Sequence, residues 1–175
     1  MIYRFKYFHF LFPIVSIFLI SCGGGGGSSV SSCGTTICSS GGYLTEYNNQ
    51  EGLALIGAST ANDAGYTGNG VYVAVVDTGI DSSHVEFGHL SLRGNSYGAG
   101  SGYNYYQDGN GHGTHVASII AGRRAGTGMR GVAYDSTLYS YRIANNAGSI
   151  SLTDSQWASM VDQHRTNNID VSNNS

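Results

Sequence analysis

The stretch that decides the fold is Val73-Ala-Val-Val-Asp77-Thr-Gly-Ile-Asp81. It belongs to an apolar run from Val71 to Val76 that contains four valines. Continuous apolar runs of this length are typical of strands in a parallel sheet that is covered on both faces. The run ends in the carboxylate of Asp77, and α/β sheets place their chemistry at the carboxyl ends of their strands. We therefore predict a buried parallel strand that presents Asp77 at a functional edge.

The residues that follow alternate between helical and strand patterns. A helix is predicted from His112 to Ala121, with Gly122 at its end and Val116, Ile119 and Ile120 on its buried face. The further predictions are a loop over 88–110, a strand over 138–143, a helix over 153–167 with Trp157, Met160, Val161 and His164 on one face, and a strand from Ile169. Thr153 and Gln156 fit a capping box. This alternation predicts βαβ units and an α/β fold.

The region before this core divides into a short helix and a polar connection. Leu53, Leu55, Ile56, Ala58 and Ala61 are predicted to line one side of a helix that begins near Glu51. Residues 22–50 are rich in Gly, Ser, Thr and Asn, which predicts a flexible tether. The net charge of −3, with only eight Lys and Arg residues and no basic stripe, gives no support for a nucleic-acid partner.

Residues 1–21 have the pattern of a targeting segment. Arg4 and Lys6 precede an apolar stretch from Phe10 to Ile20 that is short for a membrane span. The stretch ends in Leu19-Ile20-Ser21-Cys22, which resembles the lipobox of bacterial lipoproteins, so Cys22 is the predicted lipid anchor. The alternative is an ordinary secretory signal with an incidental cysteine. The first interpretation places the protein in the bacterial cell envelope, attached to the membrane through that lipid.

Two further cysteines lie in the tether. Cys33 and Cys38 are five residues apart in a Gly/Ser/Thr-rich segment, and outside the cytosol they could form a small disulfide loop. The alternative is a metal site, which would need more ligands than this segment offers, because it contains no histidine and no further cysteine.

The second informative stretch is Asp108-Gly-Asn-Gly-His112-Gly-Thr-His-Val-Ala. It puts His112 at a helix start between two glycines, which let another group approach the imidazole. A buried carboxylate such as Asp77 needs a partner, and the N–H of a neutral imidazole is a natural one. The alternative for Asp77 is a structural turn cap. His115 is predicted to pack in the core, the alternative being a His112–His115 metal pair.

Both stretches resemble the aspartate and histidine motifs of the subtilisin-like serine peptidases, in that family's order. Gly131-Val-Ala133 and the segment from Ile169 to Ser175 add weaker similarity. The resemblance implies a three-layer α/β fold with a mostly parallel sheet, of which residues 51–175 are the N-terminal part of the peptidase domain. Together with the lipobox and tether, the residues from Ala64 to Val71 look most like the secreted autotransporter branch.

The resemblance also implies a mechanism of peptide-bond hydrolysis. His112 would take a proton from a serine hydroxyl, and Asp77 would orient His112. Gly148, Ser149, Ile150 and Ser175 would pair with the backbone of a peptide or protein substrate. The family's serine motif is expected beyond Ser175, so residues 1–175 by themselves are expected to be inactive. The alternative is a catalytically inactive surface module that binds without cleaving.

No cofactor is required by this mechanism. Glu86 stands where many members of the family have a calcium-binding carboxylate, and the loop from Arg123 to Met129 stands where they have the matching calcium loop. Ala125, however, falls where an Asn ligand is usual. The alternative to a calcium site is a solvated surface loop, since calcium takes six to eight oxygen ligands.

Overall fold

The structure is a computed structural model that describes residues 46–124 and 129–175. The helices in these ranges are α1 (Glu51–Leu55), α2 (Ala58–Asp63), α3 (His112–Ala121) and α4 (Asp154–Thr166). The strands are β1 (Tyr72–Asp77), β2 (Arg93–Ser96), β3 (Thr137–Arg142) and β4 (Val171–Asn174). Two short 3₁₀ helices, Val85–Phe87 and Gly98–Gly100, lie in the connections.

The strands of the described residues form a parallel sheet in the order β2-β3-β1-β4. The register pairs Asp77 of β1 with Arg142 of β3, and Val76 with Asn174 of β4. All three strands therefore end at the same edge of the sheet. The prediction of an α/β fold with a parallel sheet is confirmed, and Asp77 lies in its interior because β1 has a strand on each side.

The sheet is the middle of three layers. Val73 and Val75 belong to a buried cluster that includes Ala117 and Ala121 of α3. Ala74 and Val76 point to the opposite face, into a cluster that includes Met160 of α4. Successive side chains of a strand point to opposite faces. The run of small apolar residues in β1 therefore contributes to the core on both faces of the sheet. This arrangement confirms the three-layer prediction.

Several details differ from the sequence prediction. The predicted loop over 88–110 contains β2, which was missed because Arg-Gly-Asn-Ser is polar and lies at an exposed sheet edge. The predicted single helix near Glu51 is two helices separated at Ile56 and Gly57, and the side chain of Leu55 is 88% exposed. A left-handed glycine at 57 breaks the helix, so its apolar residues do not form one stripe.

The predicted helix faces also need correction. In α3, Ile119 is 48% exposed, and the buried face is built from Gly113, Ala117 and Ala121. In α4, Met160 is buried, but Trp157 and Val161 are each nearly half exposed. The prediction for α3 is wrong at Ile119 alone, since Val116 and Ile120 are partly buried and pack against the core cluster. The most deeply buried residues of α3 are small, because the helix packs closely on the sheet.

The predicted signal peptide (1–21) and all three cysteines, Cys22, Cys33 and Cys38, lie outside the described residues, as does Ala125. The tether and the domain boundary at residue 51 stay predictions. Across residues 46–124 and 129–175, no helix combines the length and apolar character that crossing a membrane requires.

Candidate active site

The structure brings Asp77 and His112 into direct contact. Asp77 lies at the end of β1, and His112 is the first residue of α3. Nδ1 of His112 is 2.8 Å from Oδ1 and 2.9 Å from Oδ2 of Asp77. The carboxylate side chain is 2% exposed, whereas the imidazole is 52% exposed. A buried anion therefore holds one side of a ring whose other side faces outward.

Hydrogen bonds make the burial of Asp77 tolerable. Its Oδ1 accepts the backbone N–H of Thr78 at 2.6 Å as well as the bond from His112. An ionised carboxylate only accepts, so the proton of a neutral His112 must sit on Nδ1. This tautomer leaves Nε2 as the basic nitrogen. The geometry selects the form of the imidazole that can act as a general base.

The pKa of His112 is raised above its ordinary value. The main causes are its hydrogen bond with Asp77 and the attraction of the Asp77 charge, and a smaller attraction comes from Asp108. The N-terminal end of a helix disfavours a nearby cation by only about 0.3–1 kcal/mol. This helix effect is outweighed by the direct carboxylate contact, which stabilises the imidazolium that proton transfer would create.

Nε2 of His112 remains open. Among the described residues, the hydrogen bonds of the ring all go from Nδ1 to Asp77, and the backbone N–H of His112 bonds to Asn110. A base must come within about 2.6–3.2 Å of the group that it deprotonates. Because half of the side chain is exposed and Nε2 makes no hydrogen bond within the described residues, a hydroxyl group could approach Nε2.

Two glycines allow α3 to approach β1 this closely. A Cβ on Gly113 would overlap the carbonyl oxygen of Gly79 and lie 3.1 Å from Cβ of Asp77. Gly79 itself has φ of +105°, and a Cβ there would overlap the carbonyl oxygen of Gln107. The glycines after Asp77 and after His112 are thus required for contact between strand end and helix start.

Sequence reasoning missed the polar groups that surround this contact. Asp108 accepts hydrogen bonds from Thr78 and Thr114, and the buried guanidinium of Arg142 donates to the backbone of the loop before Asp108, at Gln107. Two signals could have found them. Asp108 is a carboxylate four residues before the histidine, and Arg142 is the one charged residue in β3.

The predicted substrate-pairing segments lie on either side of β1. Gly148, Ser149 and Ile150 follow β3 and are exposed, and Ile150 forms an antiparallel bridge with Ala144. Ser175 extends β4, with its N–H bonded to the carbonyl of Val76. Their role in binding stays a prediction, and they follow the strands that flank β1.

Two other predicted sites have different outcomes. The prediction that His115 packs in the core is wrong, because its side chain is exposed. Over 46–124 and 129–175, no three His, Cys, Asp or Glu residues are grouped as metal ligands.

The residue predicted to bind calcium, Glu86, accepts through Oε2 a hydrogen bond from the N–H of Arg123. Part of the proposed calcium loop lies outside the described residues, so calcium binding stays a prediction.

Comparison with known proteins finds consistent similarity over the region that carries these residues. The sequence pattern of the Subtilase family matches residues 68–175. Subtilisin of Bacillus pumilus is 45% identical over 98 residues, which are 56% of this chain and 34% of that protein. Subtilisin Savinase of Lederbergia lenta is 39% identical over 120 residues, 66% of this chain and 43% of that protein.

A solved structure shows the same fold. The psychrophilic subtilisin-like protease Apa1 of Pseudoalteromonas sp. AS-11 superposes with a TM-score of 0.58 at 25% identity. The match covers 71% of this chain and 28% of that one. The chain spans between 25% and 34% of the length of the first curated subtilisins that it matches. The similarity thus concerns only part of each of those proteins.

Proposed function

The chain belongs to the subtilase family of subtilisin-like serine proteases, and from this premise we propose that the whole protein is a serine endopeptidase with Asp77 and His112 as two members of its triad. The observation that carries the proposal is the contact of Nδ1 of His112 with both oxygens of the buried Asp77, which leaves Nε2 open. The nucleophile would be a serine outside residues 1–175.

The proposed reaction begins with a proton transfer. Nε2 of His112 accepts the proton of the serine hydroxyl as its oxygen attacks the carbonyl carbon of the scissile peptide bond. The imidazolium is stabilised by Asp77, which stays ionised. His112 then gives the proton to the leaving amine, and water hydrolyses the acyl-enzyme by the same route in reverse.

The substrate would bind as an extended peptide. Residues 148–150 and Ser175 follow the two strands that flank β1. Part of their backbone is already bonded, since the N–H of Gly148 donates to Asn145 and the N–H of Ser175 donates to Val76. A peptide strand would pair with their remaining N–H and C=O groups. We place the substrate backbone between these segments. Its carbonyl would then lie near the exposed face of the His112 ring, which is the geometry that attack requires.

The envelope location is a second part of the proposal. Cys22 would carry the lipid, and residues 22–50 would hold the peptidase domain away from the membrane. More than one acyl chain is needed for firm anchoring. Metabolic labelling with a fatty-acid analogue in a bacterial host tests this directly: the protein should be labelled, and Cys22→Ser should be neither labelled nor retained in the membrane fraction.

The test of the peptidase function uses the full-length protein and a fluorophosphonate probe, which labels activated serines. We expect labelling and hydrolysis of a peptide substrate, and a loss of about a hundredfold to ten-thousandfold in kcat for His112→Ala, since that is the usual contribution of a general base. His115→Ala is the matched control. It removes an exposed histidine three residues away and should change kcat less than about twofold.

The opposite results point to other functions. A folded full-length protein that is neither labelled nor active would contradict the peptidase proposal and favour a binding module. Activity that a chelator abolishes and the probe leaves unchanged would favour metal-dependent hydrolysis at His112 and His115.

A further inference from the structure

We infer that Asp108 is a positioning residue of this site: through the hydroxyl groups of Thr78 and Thr114 it fixes the start of α3 on the end of β1, and so aims Nδ1 of His112 at Asp77. The inference rests on the proposed function for its catalytic consequence. Its structural content, the orientation of the His112 ring, does not require that function.

The hydrogen bonds of Asp108 reach three different parts of the site. Oδ1 accepts from the hydroxyl of Thr78 at 2.8 Å and from the N–H of Gly111 at 2.9 Å. It also accepts the N–H of Asn110 at 3.1 Å. Oδ2 accepts the N–H and the hydroxyl of Thr114 at 2.9 and 2.6 Å. One carboxylate thus receives five donors from the strand end, the loop and the first turn of α3.

Thr78 closes the connection back to Asp77. Its hydroxyl donates to Asp108 and accepts the N–H of Gly113 at 2.9 Å. Its own N–H donates to Asp77 at 2.6 Å. The residue that follows the proposed triad aspartate is therefore bonded to the residue that follows the histidine. Any shift of α3 relative to β1 would have to break bonds on both sides of Thr78.

Asp108, Thr78 and Thr114 together form a hydrogen-bonded bracket between β1 and α3. This bracket supplies the N-terminal cap that the sequence of α3 lacks. The helix begins after Gly111, which has no side chain to cap the first turn. Asp108 takes over that role from outside the helix, and it places a negative charge at the positive helix end. Burial tends to raise the pKa of Asp108, but the bonds from Thr114, Gly111 and Thr78 outweigh it and the pKa is lowered. The carboxyl group of Asp108 is therefore ionised at neutral pH.

Placement matters because the reaction depends on short distances. A displacement of about 1 Å in a catalytic group can cost about a hundredfold in rate. Loss of the bracket should leave the hydrogen-bonding groups of 148–150 and Ser175 unchanged. We therefore expect a lower kcat with little change in KM.

The test compares four substitutions in the full-length protein. Asp108→Asn removes the charge and turns one acceptor into a donor that opposes the N–H of Thr114. Thr78→Val keeps every charge and the Thr78 N–H but removes the hydroxyl. Thr78→Ser restores the hydroxyl. Asp81→Asn removes one unit of charge nearby, from a carboxylate that bonds to Ser83. It keeps the backbone N–H of Asp81, which donates to the Thr114 hydroxyl.

The first readout is the NMR signal of the Nδ1 proton of His112, which is held far downfield only while it is bonded to Asp77. We expect the signal in the unsubstituted protein, Thr78→Ser and Asp81→Asn, and its loss in Asp108→Asn and Thr78→Val. The second readout is hydrolysis, where the last two variants should lose about 10- to 100-fold in kcat with KM changed less than about twofold. Circular dichroism identifies any variant that does not fold. If Asp108→Asn does not fold, the comparison of Thr78→Val with Thr78→Ser decides.

The outcomes separate the two proposals. If Thr78→Val and Asp108→Asn keep both the downfield signal and kcat, the positioning role is overturned. The same conclusion follows if Asp81→Asn lowers kcat as much as Asp108→Asn, because charge alone would then explain the effect. If the signal changes as expected but the unsubstituted protein hydrolyses nothing, the positioning role stands and the peptidase function fails.

Discussion

The helices α3 and α4 cover opposite faces of the same sheet and are held in different ways. The buried face of α3 consists of Gly113, Ala117 and Ala121, and it packs on the valines of β1. The other face is filled by large side chains, Tyr97, Tyr139 and Tyr141, with Met160 from α4. The difference teaches where precision is needed: the helix that carries His112 is brought close by small residues, whereas α4 is separated from the sheet by aromatic rings.

The largest expected difference between the two faces lies in their response to a cavity. Leu138 and Met160 are both fully buried: Leu138 of β3 belongs to the cluster beside α3, and Met160 of α4 belongs to the cluster on the other face. Leu138→Ala should lower the free energy of unfolding by about 4 kcal/mol and Met160→Ala by about 2 kcal/mol, within the range for such truncations. The small residues of α3 offer few side-chain atoms that could move into the gap left by Leu138, whereas larger side chains surround Met160.

Urea unfolding of both variants measures this difference. Equal losses would show that the two faces are equally rigid, and the comparison would then fail.

A second prediction breaks the close approach of α3 itself. Gly113→Ala places a methyl group against the backbone of Gly79, and overpacking of this kind costs about 1–3 kcal/mol. Gly52→Ala is the matched control, because Gly52 is also a helical glycine and has nothing within 4 Å of a new Cβ. It should be neutral or stabilising by up to about 1 kcal/mol. Thermal unfolding separates the two, and a stable Gly113→Ala would mean that α3 can move away without cost.

The third prediction concerns the helix starts. α4 has a complete capping box, in which Thr153 accepts the N–H of Gln156 and the Gln156 side chain accepts the N–H of Thr153. Thr153→Ala should therefore cost about 1 kcal/mol in chemical unfolding. No effect on hydrolysis is expected. A loss of kcat in Thr153→Ala at unchanged stability would show that α4 is coupled to the site, against the division drawn above.

Sequence reasoning located most of the fold because its signals are local. The valines of β1, the span of α3 and the Thr153 cap were all read correctly from short segments. The Asp77–His112 contact could be anticipated because both residues terminate or begin an element at the same sheet edge. The bracket at Asp108 could not, because it depends on which loop folds back over Thr78. The burial of Ala117 in place of Ile119 likewise depends on how close the helix packs.

The smallest expected effect is a pair of opposite pH dependences, one on each face. The pKa of His112 is raised by Asp77, whereas burial lowers the pKa of His164, which packs edge-on against Tyr141. His112 binds its proton more tightly in the folded state, so its contribution to stability is full below the unfolded pKa and is lost as pH rises through the folded value. His164 is the reverse: its contribution is full above the unfolded pKa and falls as pH drops toward the folded value.

NMR titration of the two rings measures this directly. Asp77→Asn should lower the pKa of His112 and leave that of His164 unchanged. A shift of both rings in Asp77→Asn would show that the two faces do not titrate independently.

The strand order has a consequence for the kinetics of folding. Val73 of β1 pairs with Leu138 of β3 on one side and with Val171 of β4 on the other, and neither β3 nor β4 follows β1 directly in sequence. Each pairing requires a long loop to close, and the chain loses that conformational entropy before the contacts between the strands form. Such topologies therefore fold slowly. During synthesis, His112 emerges well before β3 and β4 can flank the strand of Asp77. The contact between His112 and Asp77 is therefore assembled late, after the residues on both sides of β1 have been made.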